Sequence, residues 1–252
     1  MVLLVLNKDK KVSEYDYKQG KNRVESILDN YMEIEEKDKL PSDDNFTFEN
    51  GYLSWVTAIF VDIRDSTSLF SNNDEPTAKL IRAFTSEIIE ILRVDNNLRE
   101  IGIRGDCVYA IYTTPTKPDI LECTNKTFYV NTFINMFNKL IENRGGNKIR
   151  VGIGMATDKE LVIKAGRKSV GINNKVWIGK AVTIASKLSS YGDKHYLPRL
   201  MYSKSSYINF IEGLEERNRN ANSWFKYIDD FNAYSADIVK VDFNNWINNG
   251  FS

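Results

Sequence analysis

Two acids stand where the surrounding pattern calls for something else. Asp62 interrupts the end of the apolar run "LSWVTAIFVDI" (53–63), inside "FVDIRDSTSLF", and Asp106 sits in the Gly105-Asp106 break of "IRGDCVYAIY". His195 is the only histidine, which sets aside Ser-His-Asp, Cys-His and His-rich zinc chemistry. Carboxylates, Lys, Arg and oxygen-bound metals remain. Two converging carboxylates without histidine make an oxygen-rich site suited to Mg²⁺ or Mn²⁺, ions that also bind substrate phosphates. Two such ions activate an attacking oxygen and stabilise a leaving one. Ser66, Thr67 and the backbone after Asp62 open a turn that offers further donors to phosphate oxygens. Taken singly, Asp62 reads equally as a helix cap or turn residue, and Asp106 as an ordinary hairpin aspartate.

The elements that must bring the acids together follow from periodicity. Residues 53–63 are β-branched and aromatic with the length of a buried strand. "DEPTAKLIRAFTSEIIEILRV" (74–94) reads as a helix with Pro76 in its first turn and apolar residues at 80, 81, 84, 88, 91 and 92. "LREIGIRGDCVYAIYTT" (98–114) reads as a hairpin turning at Gly105-Asp106, and 119–142 as a second long helix. "GGNKIRVGIGMAT" and "ELVIKAGRK" predict two strands, "SVGINNK" a loop, and "VWIGKAVTIASKLSSYG" (176–192) a helix stopped by Gly192. Beyond it lie shorter strands and a polar insertion, 211–223. The order gives an α+β, ferredoxin-like βαββαβ core, a mostly antiparallel sheet with helices on one face. In that arrangement the first strand and the hairpin are neighbours, so Asp62 and Asp106 converge.

Residues 1–45 form a charged extension ahead of a catalytic domain spanning 46–252. Val24, Ile27, Leu28, Tyr31 and Met32 recur there at helical spacing, which predicts a short amphipathic helix packing on the main domain or on a second copy. Lys+Arg and Asp+Glu each total 34, so no field for binding nucleic acid is present and any polyanion is small and locally held. Cys107 and Cys123 lack CxxC spacing and suit a reduced, cytoplasmic compartment. The opening "MVLLVLNKDKK" is apolar for only about half a dozen residues, against the ~20 that span a bilayer, so no membrane association is expected.

"FVDIRDST" and "IRGDCVYAIY" resemble the two metal-binding motifs of the class III nucleotidyl cyclases, and the 44-residue separation of Asp62 and Asp106 suits that family. "VWIGKAVTIASKLSSYG" resembles the family's D-x-x-G-x-x-V-N-x-A-S-R segment, so the likeness spans about residues 53–203. The resemblance implies two divalent ions held by Asp62, Asp106 and the Ile63 carbonyl. It also implies a homodimer with composite sites, in which one subunit supplies the acids and the other the third motif. Thr183 stands at the family's ribose-orienting Asn and Lys187 at its transition-state Arg. Four residues apart, they share one helix face and can reach one ligand, or simply form a solvated face. Lys187 keeps the charge without the bidentate fork.

The departures concern the base. Purine cyclases of the family read it with a residue pair whose positions here hold Gly102 and Val176, neither of which makes side-chain hydrogen bonds. Strand alternation puts Arg104 on the side of Gly102 and Asp106. There it can donate to a pyrimidine carbonyl or a phosphate, unless it is an ordinary outward-facing hairpin arginine. The combination is most similar to the stand-alone pyrimidine cyclases of Pycsar anti-phage systems, whose cyclic UMP or cyclic CMP activates a separate effector. That resemblance favours UTP over CTP. A purine cyclase with an unusual base pocket, and a nucleotide-binding module without turnover, stay open as alternatives.

Overall fold

The computed structural model describes residues 15–66, 74–168, 171 and 173–252. Among them are helices α1 (Tyr17–Asp29), α2 (Glu75–Arg93), α3 (Lys117–Glu142), α4 (Ala181–Tyr191), α5 (Lys204–Arg217) and α6 (Val241–Asn248). The strands are β1 (Glu33–Glu36), β2 (Asn50–Ile63), β3 (Leu98–Arg104), β4 (Cys107–Thr113), β5 (Val151–Gly166), β6 (Asn173–Ile178), β7 (Leu200–Ser203), β8 (Lys226–Ile228) and β9 (Ala233–Ala236). They join one sheet ordered β3-β4-β2-β5-β7-β9-β8, with β1 paired to β2 and β6 to β5. The β2-α2-β3-β4-α3-β5 stretch is the ferredoxin-like core, and β2 runs antiparallel to both β4 and β5.

Alternation along β2 divides the molecule into two layers. Ile59, Val61 and Ile63 join Phe84, Ile88 and Leu92 of α2 and Phe133, Ile134 and Phe137 of α3 in the main core. Each such fully buried side chain contributes about 1.5–3 kcal/mol relative to exposure. The even residues Val56, Ala58 and Phe60 face the other way and pack with Ala181 and Ala185 of α4. Asp62 continues this second set, so the acid emerges on the α4 side.

The crossover helices start where their sequences say. Asp74 accepts from the Thr77 N–H at 2.9 Å, and Pro76 occupies the first turn of α2. Thr116 and Asp119 form a reciprocal capping box on α3. The turn after Asp62 depends on a residue that tolerates the left-handed region: Asp65 has φ +56°. Its carboxylate accepts from Arg150 at 2.6 Å.

Several sequence expectations change. The two strands expected over 145–168 are one, β5, because Asp158-Lys159-Glu160 stays paired with Ser54, Trp55 and Val56 of β2 and does not turn. The helix expected to begin at 176 begins at 181; Val176-Trp177-Ile178 belong to β6, paired with Leu161, Val162 and Ile163. The polar insertion of 211–223 is largely the second half of α5, whose Phe210 and Leu214 are buried in the core. Of the shorter strands expected beyond Gly192, the last ends at Ala236, and α6 follows from Val241. Helix α1 forms as expected, but Val24, Ile27, Leu28 and Tyr31 are exposed in the single chain. Residues 33–46 join the fold, β1 alongside β2 and Leu40 and Phe46 buried against Tyr52 and Val162.

Helix α4 lies on backbone. A Cβ added to Gly152 would come within 2.0 Å of the Ser189 carbonyl oxygen, and one on Gly154 within 2.1 Å of the Ala185 carbonyl oxygen. Neither neighbour is a flexible side chain that can swing aside. Gly154→Ala should therefore cost about 1–3 kcal/mol of stability, the range of an overpacked core. Urea denaturation checks this; an unchanged midpoint would show that α4 can lift without penalty.

Candidate active site

Asp62 pairs across the sheet with Cys107 and Gly152, which sets its side chain one residue beyond the β3–β4 turn. Asp106 sits in that turn beside Gly105, which takes φ +64°. The two acids sense one another. Burial pushes the Asp62 carboxyl above the ordinary carboxylate range, the Arg64 guanidinium offsets part of that rise, and the Asp106 charge adds to it. Burial also pushes the Cys107 thiol up to about 12, and both acids reinforce the shift. The convergence expected from the element order is thus present.

A residue not anticipated from sequence holds the centre. Arg64 is 9% exposed and ion-pairs with the Asp62 carboxylate. It also donates to the Ser190 carbonyl at 2.7 Å, in the last turn of α4, where a cation is favoured. Its position two residues after the acid in "DIRD" was the available signal. Ile63 is buried and pairs with Val151. Ser66 is half-buried just beyond Asp65; Thr67 lies outside the described residues. No group of three or more His, Cys, Asp or Glu occurs together among the described residues. The oxygen donors are therefore the two carboxylates and the adjoining backbone, a set that fits hard divalent cations completed by substrate phosphates.

Thr183 and Lys187 share the solvent face of α4, opposite the buried Ala181, Ala185 and Leu188. The Thr183 hydroxyl donates to the Gly179 carbonyl at 3.4 Å. Lys187 forms no ion pair with Asp62 or Asp106 within the chain. One chain thus brings the two acids together and leaves the helix pair pointing outward.

The two positions expected to face the base lie on different strands, whose flanking residues meet: Lys175 donates to the Arg99 carbonyl at 3.1 Å. Val176 is 40% exposed on β6. Gly102 lies beneath Tyr109, its cross-strand partner, whose ring atoms would stand within 2.8 Å of a Cβ there. The Tyr109 ring stacks on Phe60 at 5.4 Å between centroids. Its hydroxyl donates to Glu100 Oε1 at 2.8 Å, and the Trp177 indole N–H donates to Glu100 Oε2 at 2.8 Å. Burial, followed by the Glu100 interaction, pushes the Tyr109 hydroxyl up to about 12, so it remains a donor at neutral pH. Glu100, Gly102 and Arg104 alternate along β3, and Tyr109 responds to the Arg104 charge; the alternation expected for Arg104 holds. Arg104 is exposed at the rim of a cavity of about 610 Å³ lined also by Glu100, Tyr109, Asn173 and Lys175, within the size range of small-molecule sites. Sequence reading missed Glu100, Tyr109 and Trp177. Extending the period-2 pattern one step back from Gly102 would have reached Glu100.

An α+β sheet with two acids brought together at the end of β2 and the β3–β4 turn has the layout of a nucleotide cyclase, and comparison with known proteins makes that specific. Residues 49–204 match the family described as the adenylate and guanylate cyclase catalytic domain, and the chain belongs to it. A uridylate cyclase of Treponema porcinum is 50% identical over 241 residues, spanning 95% of this chain and 83% of that protein. A uridylate cyclase of Gulbenkiania mobilis is 29% identical over 254 residues, spanning 92% and 95%. Among solved structures, the adenylyl cyclase CyaB of P. aeruginosa superposes with a TM-score of 0.56 at 20% identity, over 64% of this chain and 83% of that one. A class III adenylyl cyclase-like ATP-binding protein of Pseudomonas aeruginosa gives 0.64 at 14% identity, over 94% and 49%. These structural likenesses concern the fold. No helix among the described residues is long and apolar enough to cross a membrane.

Glu100 is the single acceptor for two rings from different strands. Glu100→Ala should destabilise the chain by about 1 kcal/mol for each of the two half-buried hydrogen bonds lost, read as a lowered urea midpoint. A midpoint equal to wild type would mean that Tyr109 and Trp177 find other partners.

Proposed function

We propose that this protein cyclises a pyrimidine nucleoside triphosphate, UTP in preference to CTP, to the 3′,5′-cyclic nucleotide and pyrophosphate. The observation that carries the reading is the Tyr109 ring over Gly102. The place where a purine reader would extend its side chain holds no side chain and is covered by a ring fixed to Glu100. A small base fits such a pocket better than a two-ring base. The names of the Treponema and Gulbenkiania relatives agree with this choice.

In the reaction the ribose 3′-oxygen bonds to the α-phosphorus, the bond from that phosphorus to the bridging oxygen breaks, and the 3′-hydroxyl loses its proton. Asp62, Asp106 and the Ile63 carbonyl hold two divalent ions, Mg²⁺ or Mn²⁺. Such ions, when bound, would polarise the α-phosphate and offset charge on the entering 3′-oxygen and the departing pyrophosphate in the one displacement. Lys187 places positive charge where the α-phosphate gains negative charge, and Thr183 orients the ribose. Arg104 donates to the base or to a phosphate. Because Lys187 and Thr183 face outward from the chain that carries them, they serve the acids of a second copy, so the working unit is a homodimer with composite sites. The residues ahead of β1 extend that unit, and the soluble product acts on a separate effector in cytoplasmic defence against phage.

Incubation with each of the four nucleoside triphosphates and Mn²⁺ should give cyclic UMP as the main product; a cyclic purine alone would overturn the reading. Lys187→Ala and Asp106→Ala should each abolish turnover, while their mixture regains part of it through heterodimers with one intact site. Failure of the mixture to recover activity counts against composite sites.

A further inference from the structure

Helix α4 does not cap itself. Its N-cap residue, Lys180, has αR backbone angles and makes no side-chain cap hydrogen bond. Such a terminus leaves backbone N–H groups without intrahelical partners. The missing acceptor comes from 21 positions earlier in the chain: Glu160, in the middle of β5, accepts through Oε1 from the Ala181 N–H. Glu160 is wholly buried, and its Oε2 has no partner in the chain. The β6–α4 connection folds tightly over it, and a Cβ on Gly179 would stand 2.6 Å from the Glu160 carboxyl carbon. Burial pushes this carboxyl above its ordinary range, while the N–H groups of Ala181 and Val182 hold it down. A carboxylate at a helix N-terminus is also favoured by the helix dipole.

We propose that Glu160 is a positioning residue for catalysis: it pins the N-terminal turn of α4 to the sheet and so fixes where Thr183 and Lys187 stand. Thr183 is the third residue of α4, and Lys187 lies one turn further on. The glycines of β5 set how close the helix comes to the sheet; Glu160 sets where it lies along its own axis. A slip of the first turn moves both functional side chains together and leaves Asp62 on β2 and Asp106 in the β3–β4 turn. The inference rests on the composite-site reading above.

The test is complementation in the full-length protein. Glu160→Ala should lower kcat about tenfold or more with little change in KM. Mixing it with Asp106→Ala should restore activity, because the Glu160→Ala subunit still contributes sound acids. Mixing it with Lys187→Ala should restore none, because both α4 helices are then impaired. The Lys187→Ala and Asp106→Ala mixture is the control. If that control fails, the composite reading falls; if it succeeds and Glu160→Ala is rescued equally by both partners or by neither, the positioning role is wrong. Full activity of Glu160→Ala alone overturns it too. Should Glu160→Ala not fold by circular dichroism, Gly179→Ala, which pushes on the carboxyl without removing it, is required to give the same one-sided rescue.

Discussion

The close seat of α4 on bare backbone is the constraint on which the rest depends. Gly152 and Gly154 let the Ser189 and Ala185 carbonyls approach the sheet more closely than any side chain permits. That depth brings the last turn of α4 level with the end of β2, where Arg64 reaches both the Ser190 carbonyl and the Asp62 carboxylate. A helix riding on ordinary side chains, about 10 Å above a sheet, would leave Arg64 without its second partner. Two missing side chains therefore decide the electrostatics of an acid on the neighbouring strand.

Charge on the site face is handled by local pairing. Asp62 has Arg64, Asp65 has Arg150, and Glu100 takes a proton-bearing ring from each side. Because Lys+Arg and Asp+Glu balance over the chain, binding a polyphosphate depends on a few placed groups and owes little to a general field. Glu160 is the exception in kind. Burial raises its carboxyl above the ordinary range, and the N–H groups of Ala181 and Val182 offset part of that rise.

The sequence showed the acids clearly because their roles are local. Asp62 interrupts an apolar run at a strand end, and Gly105-Asp106 marks a turn, so both are visible within ten residues. The βαββαβ order followed from the same short-range pattern. The Glu100–Tyr109–Trp177 cluster was hidden because Trp177 meets Glu100 from 77 positions away, and no periodicity carries that. The continuity of β5 was missed for a related reason. In one dimension Asp158-Lys159 looks like a polar turn between two strands. In three, Lys159 pairs with Glu36 and Glu160 turns inward beneath α4. Polar residues inside a strand announce a turn only when nothing elsewhere in the chain needs them.

Strand β5 pairs with β2, β6 and β7 along its sixteen residues. Gly152, Gly154, Ala156 and Glu160 all lie on its α4 side, so the strand works as a ruler whose marks are counted in steps of two. Inserting or deleting one residue between Gly154 and Glu160 would turn every later mark to the opposite layer, taking the carboxylate away from α4 to the side on which Lys159 meets Glu36. The count of residues between these marks therefore matters as much as what each mark is.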